Sequence, residues 1–213
     1  MTLQKTKLIM FDYDGVLIDS THLPKQFYDK LSVLLGTRKF TSKEELREFL
    51  EADVLLSLYR LGVKTEQQRA VAMDLFKKED KNWKNLSLFP HVKGMLKTLK
   101  MKGYTLAIVS NNHKETIEYD LKRNKVFDYF DHVIDHKHGR KPAPDQIIHC
   151  LKITQTYPEY AVMIDDMDGG IIAAKKAKLK KAIGVSYGYQ LPYRLKMADI
   201  IVDHPKAIVN AVE

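Results

Sequence analysis

The chain has 213 residues, enough for one sizeable core with a small insertion, and its 45% hydrophobic and 29% charged residues are ordinary for a globular fold. No apolar run approaches the roughly 20 residues that cross a bilayer, and the single cysteine, Cys150, excludes an internal disulfide or a cysteine-built metal centre. A formal net charge of +8 favours anionic partners, among which a phosphate ester and a nucleic acid both qualify.

The amino terminus passes from Lys5 and Lys7 into an apolar run without an apolar leader, an arrangement expected of a cytoplasmic protein. That run, Leu8 to Phe11, reads as a strand buried on both faces, and it ends at Asp12-Tyr13-Asp14-Gly15. Strand side chains alternate, so Asp12 and Asp14 start on one side with Tyr13 opposite, and Gly15 lets the backbone turn away. Leu23, Phe27, Leu31 and Leu34 then recur at helical spacing until Gly36. Thr41 to Glu45 carries a capping box, and Leu46, Phe49, Leu50 and Val54 continue it as one helix to Gly62. Thr65 to Gln68 opens a third helix, carried by Ala72, Leu75 and Phe76. From Leu23 to Asn82 the pattern is helical throughout.

Alternation begins beyond that block. Val92, Met95, Leu96 and Leu99 predict a helix closed by Gly103, and Tyr104 to Val109 a buried strand ending at Ser110. Helices over 113–123, 143–153 and 171–177 alternate with strands over 132–134, 160–164, 182–185 and 200–202. Such alternation predicts an α/β fold, a Rossmann-like parallel sheet with helices on both faces, and a small α-helical cap inserted after the first strand. The expected division is a core of residues 1–20 and 84–213 and a cap of 21–83, with Trp83 and Phe89 packing at the hinge. Cys150, among Ile147, Ile148 and Leu151, reads as a buried hydrophobe.

Chemistry-bearing residues gather at predicted strand ends. Asp12 and Asp14 follow the first strand, and Ser110, Asn111 and Asn112 the second; Lys141 precedes Pro142-Ala143-Pro144-Asp145; Asp165, Asp166 and Asp168 follow Ile164. In a parallel sheet these ends share one edge, so carboxylates, a hydroxyl and an ammonium can meet around a phosphate. His132, His136 and His138 crowd the approach to Lys141 and are read as a polar loop leaving the strand, with no acid specified as partner for a transition metal. Lys175, Lys176, Lys178, Lys180 and Lys181 lack interleaved aromatics and read as a solvated helix end, so no nucleic-acid surface is expected.

The four segments, in this order, resemble the four motifs of the haloacid dehalogenase-like hydrolase superfamily, in particular its phosphoglycolate phosphatase-like members with a small helical cap. The resemblance implies a phosphatase acting on a small phosphorylated metabolite, without nucleic acid or membrane as partner. It implies Asp12 as nucleophile forming an aspartyl-phosphate, Asp14 as the acid that protonates the leaving alcohol, Ser110 and Asn111 as phosphate ligands, and Lys141 as the neutralising cation. It further implies Mg2+ held by Asp12, the backbone carbonyl of Asp14 and Asp166. Gly170 stands where a second acid is common, leaving Asp165 or Asp168 to supply it; if neither does, the chain is a binding protein that kept the fold. A sugar-phosphate mutase is the remaining alternative. Arg38, Lys43, Arg47 and Arg60 are the cap cations available to an anionic substrate.

Overall fold

The computed structural model describes residues 7–80 and 85–213. Six parallel strands, β1 (Leu8–Phe11), β2 (Thr105–Val109), β3 (His132–Ile134), β4 (Ala161–Asp165), β5 (Lys181–Val185) and β6 (Ile200–Val202), form one sheet in the order β3-β2-β1-β4-β5-β6. Strand order reverses direction at β1, which pairs with β2 on one side and β4 on the other. The crevice beyond the carboxyl ends of these three strands is therefore the natural ligand position of the fold.

All four residues of β1 are fully buried, which explains an apolar run without polar alternation. Ile9 and Phe11 join α5 (Val92–Met101), α6 (Lys114–Arg123) and α9 (Pro205–Ala211) in one apolar cluster. Leu8 and Met10 join α7 (Asp145–Ile153) and α8 (Asp168–Lys176) in the other, with Cys150 buried there as expected. Helices thus cover both faces.

The segment between β1 and α5 holds α1 (Leu23–Leu35), α2 (Lys43–Phe49), α3 (Val54–Arg60) and α4 (Glu66–Asp80), packed around an apolar cluster of their own. Tyr28, Phe40 and Phe49 supply its centre, with ring centroids 4.8–5.7 Å apart. Ser42 caps α2 by accepting from the Glu45 amide at 3.0 Å, while the Glu45 carboxylate accepts from the Thr41 amide at 2.7 Å. Thr65 and Gln68 reciprocate in the same way at the start of α4.

Local details differ from or add to the expectation at several points. The single helix predicted from the capping box to Gly62 is two, because the chain extends at Leu50 (ψ 134°) and Asp53 caps a new helix by accepting from the Leu55 amide at 2.8 Å. The apolar spacing stays in phase across the break, so periodicity does not register it; the competing side-chain acceptor does. Helix α7 begins two residues after the predicted start and α8 three before; at α8 the Asp168 amide donates to Gln190 Oε1 at 2.6 Å, a distant partner the apolar stripe does not reveal. The polar loop expected after β3 takes the form of a 3-10 turn over His136–His138, with Asp135 accepting from the Lys137 amide. The carboxyl-terminal helix α9, started by Pro205, is an element the pattern does not predict.

Phe89 packs edge-on against Tyr187 at 4.9 Å, while Trp83 lies outside the described residues. No helix among the described residues is long and apolar enough to cross a membrane.

One buried polar contact ties the turn after β1 to the chain returning from the helical segment. Tyr13 Oη donates to Asp120 Oδ2 at 2.9 Å, and the Asn85 amide donates to Asp120 Oδ1 at 2.9 Å, with Asp120 wholly buried. Asp120→Ala strands both donors and is expected to lower stability by roughly 2–4 kcal/mol. A lower urea midpoint with an unchanged slope is the reading that checks it; an unchanged midpoint rejects the contact as a stabilising one.

Candidate functional site

Strand ends β1, β2 and β4 and the loop carrying Lys141 converge on one point. Asp12 directly follows β1, held by its amide donating to Ile164 O at 2.9 Å. The Lys141 ammonium, 5% exposed, lies 2.9 Å from Asp12 Oδ1 and 2.7 Å from Asp165 Oδ2. Burial alone would lower the Lys141 pKa, but the Asp12 and Asp165 charges outweigh it and raise the net value. Burial lifts the Asp165 carboxyl to about 7, with Lys141 opposing and the Asp12 charge adding to the lift. Burial, then the charges of Asp165 and Asp12, push Asp166 well above the usual carboxylate range.

Asp12, Asp165 and Asp166 each offer a carboxylate oxygen within 4.8 Å of the others. Asp166 Oδ2 accepts from the Tyr189 amide at 2.5 Å, whereas Asp166 Oδ1 is buried without a hydrogen-bond partner. Three buried carboxylates, two of them on one ammonium and the third with an unengaged oxygen, fit a hard divalent cation.

Local backbone makes this crowding possible. A Cβ on Gly170 would stand 1.8 Å from Asp165 Oδ2, so the Asp165 carboxylate fills the space that a side chain at 170 would take. Gly15, at φ +74°, likewise leaves room for Asp166, whose Oδ2 would lie 2.0 Å from an added Cβ. Asp168 is engaged elsewhere, 3.0 Å from Arg194 and 3.2 Å from Gln190 Nε2. Of the two acids the sequence left open, Asp165 stands in the carboxylate group and Asp168 outside it.

Asp14 accepts from Asn112 Nδ2 at 2.9 Å. Burial first, and the Asp12 charge second, lift its carboxyl to about 6. Ser110, 2% exposed, directly follows β2; its Oγ accepts from the Asn112 amide at 3.2 Å and keeps its own proton to donate. Asn111 Oδ1 accepts from the Lys141 amide at 2.9 Å and its Nδ2 donates to Lys141 O at 3.2 Å, so this side chain grips the lysine backbone. The roles of Asn111 as a clamp and Asn112 as a holder of Asp14 carry no signal in the sequence beyond their place after a strand.

The histidines form pairs: His113 meets His136 at 4.2 Å, and His138 stacks on His149 at 4.1 Å. The aspartate trio is the sole metal-type grouping among the described residues. A cavity of about 620 Å3 opens over Asp12, Asp14 and Lys141, and its far wall is Ala52, Val54, Leu55 and Phe76 from the helical segment. None of Arg38, Lys43, Arg47 or Arg60 lines it. Arg47 donates to Ser186 O and Gln190 O at 2.7 Å, Arg60 pairs with Glu51, Arg38 with Glu45, and Lys43 reaches Thr21 Oγ1 at 3.4 Å. The cations lining the cavity are Arg140, Lys141 and Lys176, joined by His113.

A family model described as haloacid dehalogenase-like hydrolase matches residues 9–184. Phosphoglycolate phosphatase of Vibrio vulnificus (strain YJ016) is 30% identical over 226 aligned positions, covering 100% of this chain and 98% of the relative. Phosphoglycolate phosphatase of Aquifex aeolicus is 26% identical, with 97% of each chain covered. A haloacid dehalogenase-like hydrolase of known structure from Streptococcus pneumoniae superposes with a TM-score of 0.84 at 21% identity, covering 98% of this chain and 99% of its own, which is a likeness of fold.

The carboxylate group predicts how stability responds to cations and pH. Asp165 is raised above its unfolded value, so the stability it contributes is present below roughly pH 4 and is lost as pH rises through about 7. A divalent cation bound here would take the place of the proton, and at a hundredfold excess over Kd such binding is worth about 2.7 kcal/mol. The gain in melting temperature on adding the cation is expected to widen between about pH 5 and about pH 7, and Asp166→Asn or Gly170→Ala to abolish most of it. A gain independent of pH, or retained in both variants, removes the cation from this position.

Proposed function

The chain belongs to the haloacid dehalogenase-like hydrolases, and from that premise we propose that it is a Mg2+-dependent phosphatase hydrolysing a small phosphate monoester through an aspartyl-phosphate. The observation that carries the reading is the meeting of Asp12, Lys141 and the further carboxylates at the floor of one cavity, with Asp14 lifted to about 6 beside them. Asp12, Asp165, Asp166 and the Asp14 carbonyl would hold Mg2+, which when bound supplies neutralising charge to the phosphoryl oxygens.

Asp12 attacks phosphorus, and the bond from phosphorus to the ester oxygen breaks. Asp14 gives its proton to the departing oxygen, which an alcohol needs to leave and which a lifted pKa allows Asp14 to carry near neutral pH. Asp14 then takes a proton from water as that water attacks phosphorus, and the bond to Asp12 breaks to release phosphate. Lys141, kept in place through its backbone by Asn111, holds the nucleophile and meets the incoming negative charge. Ser110 donates its hydroxyl to a phosphate oxygen, and Asn112 holds Asp14 in register with the leaving group. Residues 21–83 act as a cap over a core of 1–20 and 84–213, and its apolar wall excludes water during attack on Asp12.

Gly170 favours a binding protein without turnover only if no acid takes its place, and the Asp165 carboxylate lying in that space supports the phosphatase reading instead. The names of the relatives make phosphoglycolate the first substrate to test, and a cytoplasmic setting suits a small phosphorylated metabolite. On p-nitrophenyl phosphate with Mg2+, Asp12→Asn is expected to lower kcat by roughly 10^3-fold or more; equal rates for the two proteins would end the proposal. Asp14→Asn should depress kcat/KM for an alkyl phosphate far more than for p-nitrophenyl phosphate, whose leaving group departs without a proton. An equal loss on both substrates would remove Asp14 from the acid's role.

A further inference from the structure

Negative charge dominates the floor of the cavity. Asp12, Asp14 and Asp165 line it, Asp166 joins Asp12 and Asp165 in the carboxylate group, and Lys141 is already committed to Asp12 and Asp165 at 2.9 and 2.7 Å. Two other cations line the same cavity, Arg140 and Lys176, and neither has a carboxylate within ion-pair distance among the described residues. Their polar contacts are long ones to backbone carbonyls: Arg140 Nη1 to Asn111 O at 3.4 Å and Lys176 Nζ to Pro142 O at 3.3 Å. Asn111 follows Ser110 and Pro142 follows Lys141, so both cations touch the core backbone one residue along from a proposed phosphate ligand.

The opposite wall offers no such charge. Ala52, Val54, Leu55 and Phe76 are apolar, and Asp53, which also lines the cavity, keeps its carboxylate on the Leu55 amide. A second anionic group on a short substrate meets apolar or negative surface towards the helices and unpaired positive charge towards the core. Guanidinium and ammonium groups without a competing carboxylate are free to take that group, the guanidinium through two parallel hydrogen bonds.

Resting on the phosphatase reading, we propose that Arg140 and Lys176 determine specificity by binding a second anionic group, carboxylate or phosphate, at the far end of a short phosphate monoester. Monoesters with a charged tail are then turned over in preference to isosteric ones with a neutral tail.

The test compares kcat/KM of the Mg2+-loaded protein on phosphoglycolate, ethylene glycol bisphosphate and 2-hydroxyethyl phosphate. The wild type should favour at least one charged-tail substrate over the neutral one by about tenfold, the equivalent of about 1.4 kcal/mol, and which of the two is favoured distinguishes carboxylate from phosphate. In Arg140→Gln with Lys176→Gln that ratio should fall towards unity, chiefly through KM. Lys178→Gln removes an exposed cation that does not line the cavity and should leave the ratio where it was. A wild-type ratio near unity, with both classes hydrolysed in an Asp12-dependent way, overturns this inference and leaves the phosphatase standing; so does a Lys178→Gln variant that loses as much of the ratio as the double variant, which would mark general charge steering. A wild type that hydrolyses none of the three substrates, nor p-nitrophenyl phosphate, removes both.

Discussion

The buried ammonium of Lys141, shared between Asp12 and Asp165, is the interaction on which the rest of the site depends. Removing carboxylates from water is costly, and placing three of them together adds mutual repulsion that one cation does not offset. The fold tolerates this because each member is fixed from outside the cluster. Asn111 holds Lys141 by two backbone hydrogen bonds, the Met167 amide donates to Asp165 Oδ1 at 2.9 Å, and the Tyr189 amide donates to Asp166. The negative charge left uncompensated by Lys141 suits a divalent cation.

Sheet order explains why these groups meet. Phe11 is in register with Ile164 of β4 and Ile108 of β2, so Asp12 emerges level with Asp165 and one step short of Ser110. Because β1 lies at the reversal of strand order, neither neighbouring crossover covers its carboxyl end. The alternation that points Asp12 and Asp14 at the crevice sends Tyr13 the other way, into the buried contact with Asp120. A single tripeptide therefore sends two carboxylates to the crevice and one anchor into the core.

Arginine holds the helical segment to the core. Arg47 donates to the carbonyls of Ser186, Tyr189 and Gln190, and Arg194 reaches Glu48 O, Glu51 and Asp168. The planar guanidinium, with five donors, suits several acceptors at once in a way an ammonium does not. The loop so fastened also carries Tyr189, whose hydroxyl meets Ser20 and whose amide meets Asp166. The helical segment and the Asp166 carboxylate thus both contact residues 186–194, and Arg47, which by sequence was available to a substrate, is occupied in holding the two parts together.

By itself the sequence determined the α/β alternation, the strands that end in Asp12, Ser110 and Asp165, and the expectation that these acids, a hydroxyl and Lys141 share one edge. Local periodicity carries that much, because burial of a strand or a helix face is written in its own side chains. It does not carry the break at Leu50 to Asp53, where a side-chain acceptor outcompetes the helix without disturbing the apolar spacing. Tertiary structure alone decided that Asp165 rather than Asp168 joins Asp166, that Asn111 grips Lys141, and that Arg140 and Lys176 line the cavity while Arg47 and Arg60 do not. Those outcomes turn on contacts of a few ångström between residues tens to more than a hundred positions apart, and only the packed chain brings such atoms within range of one another.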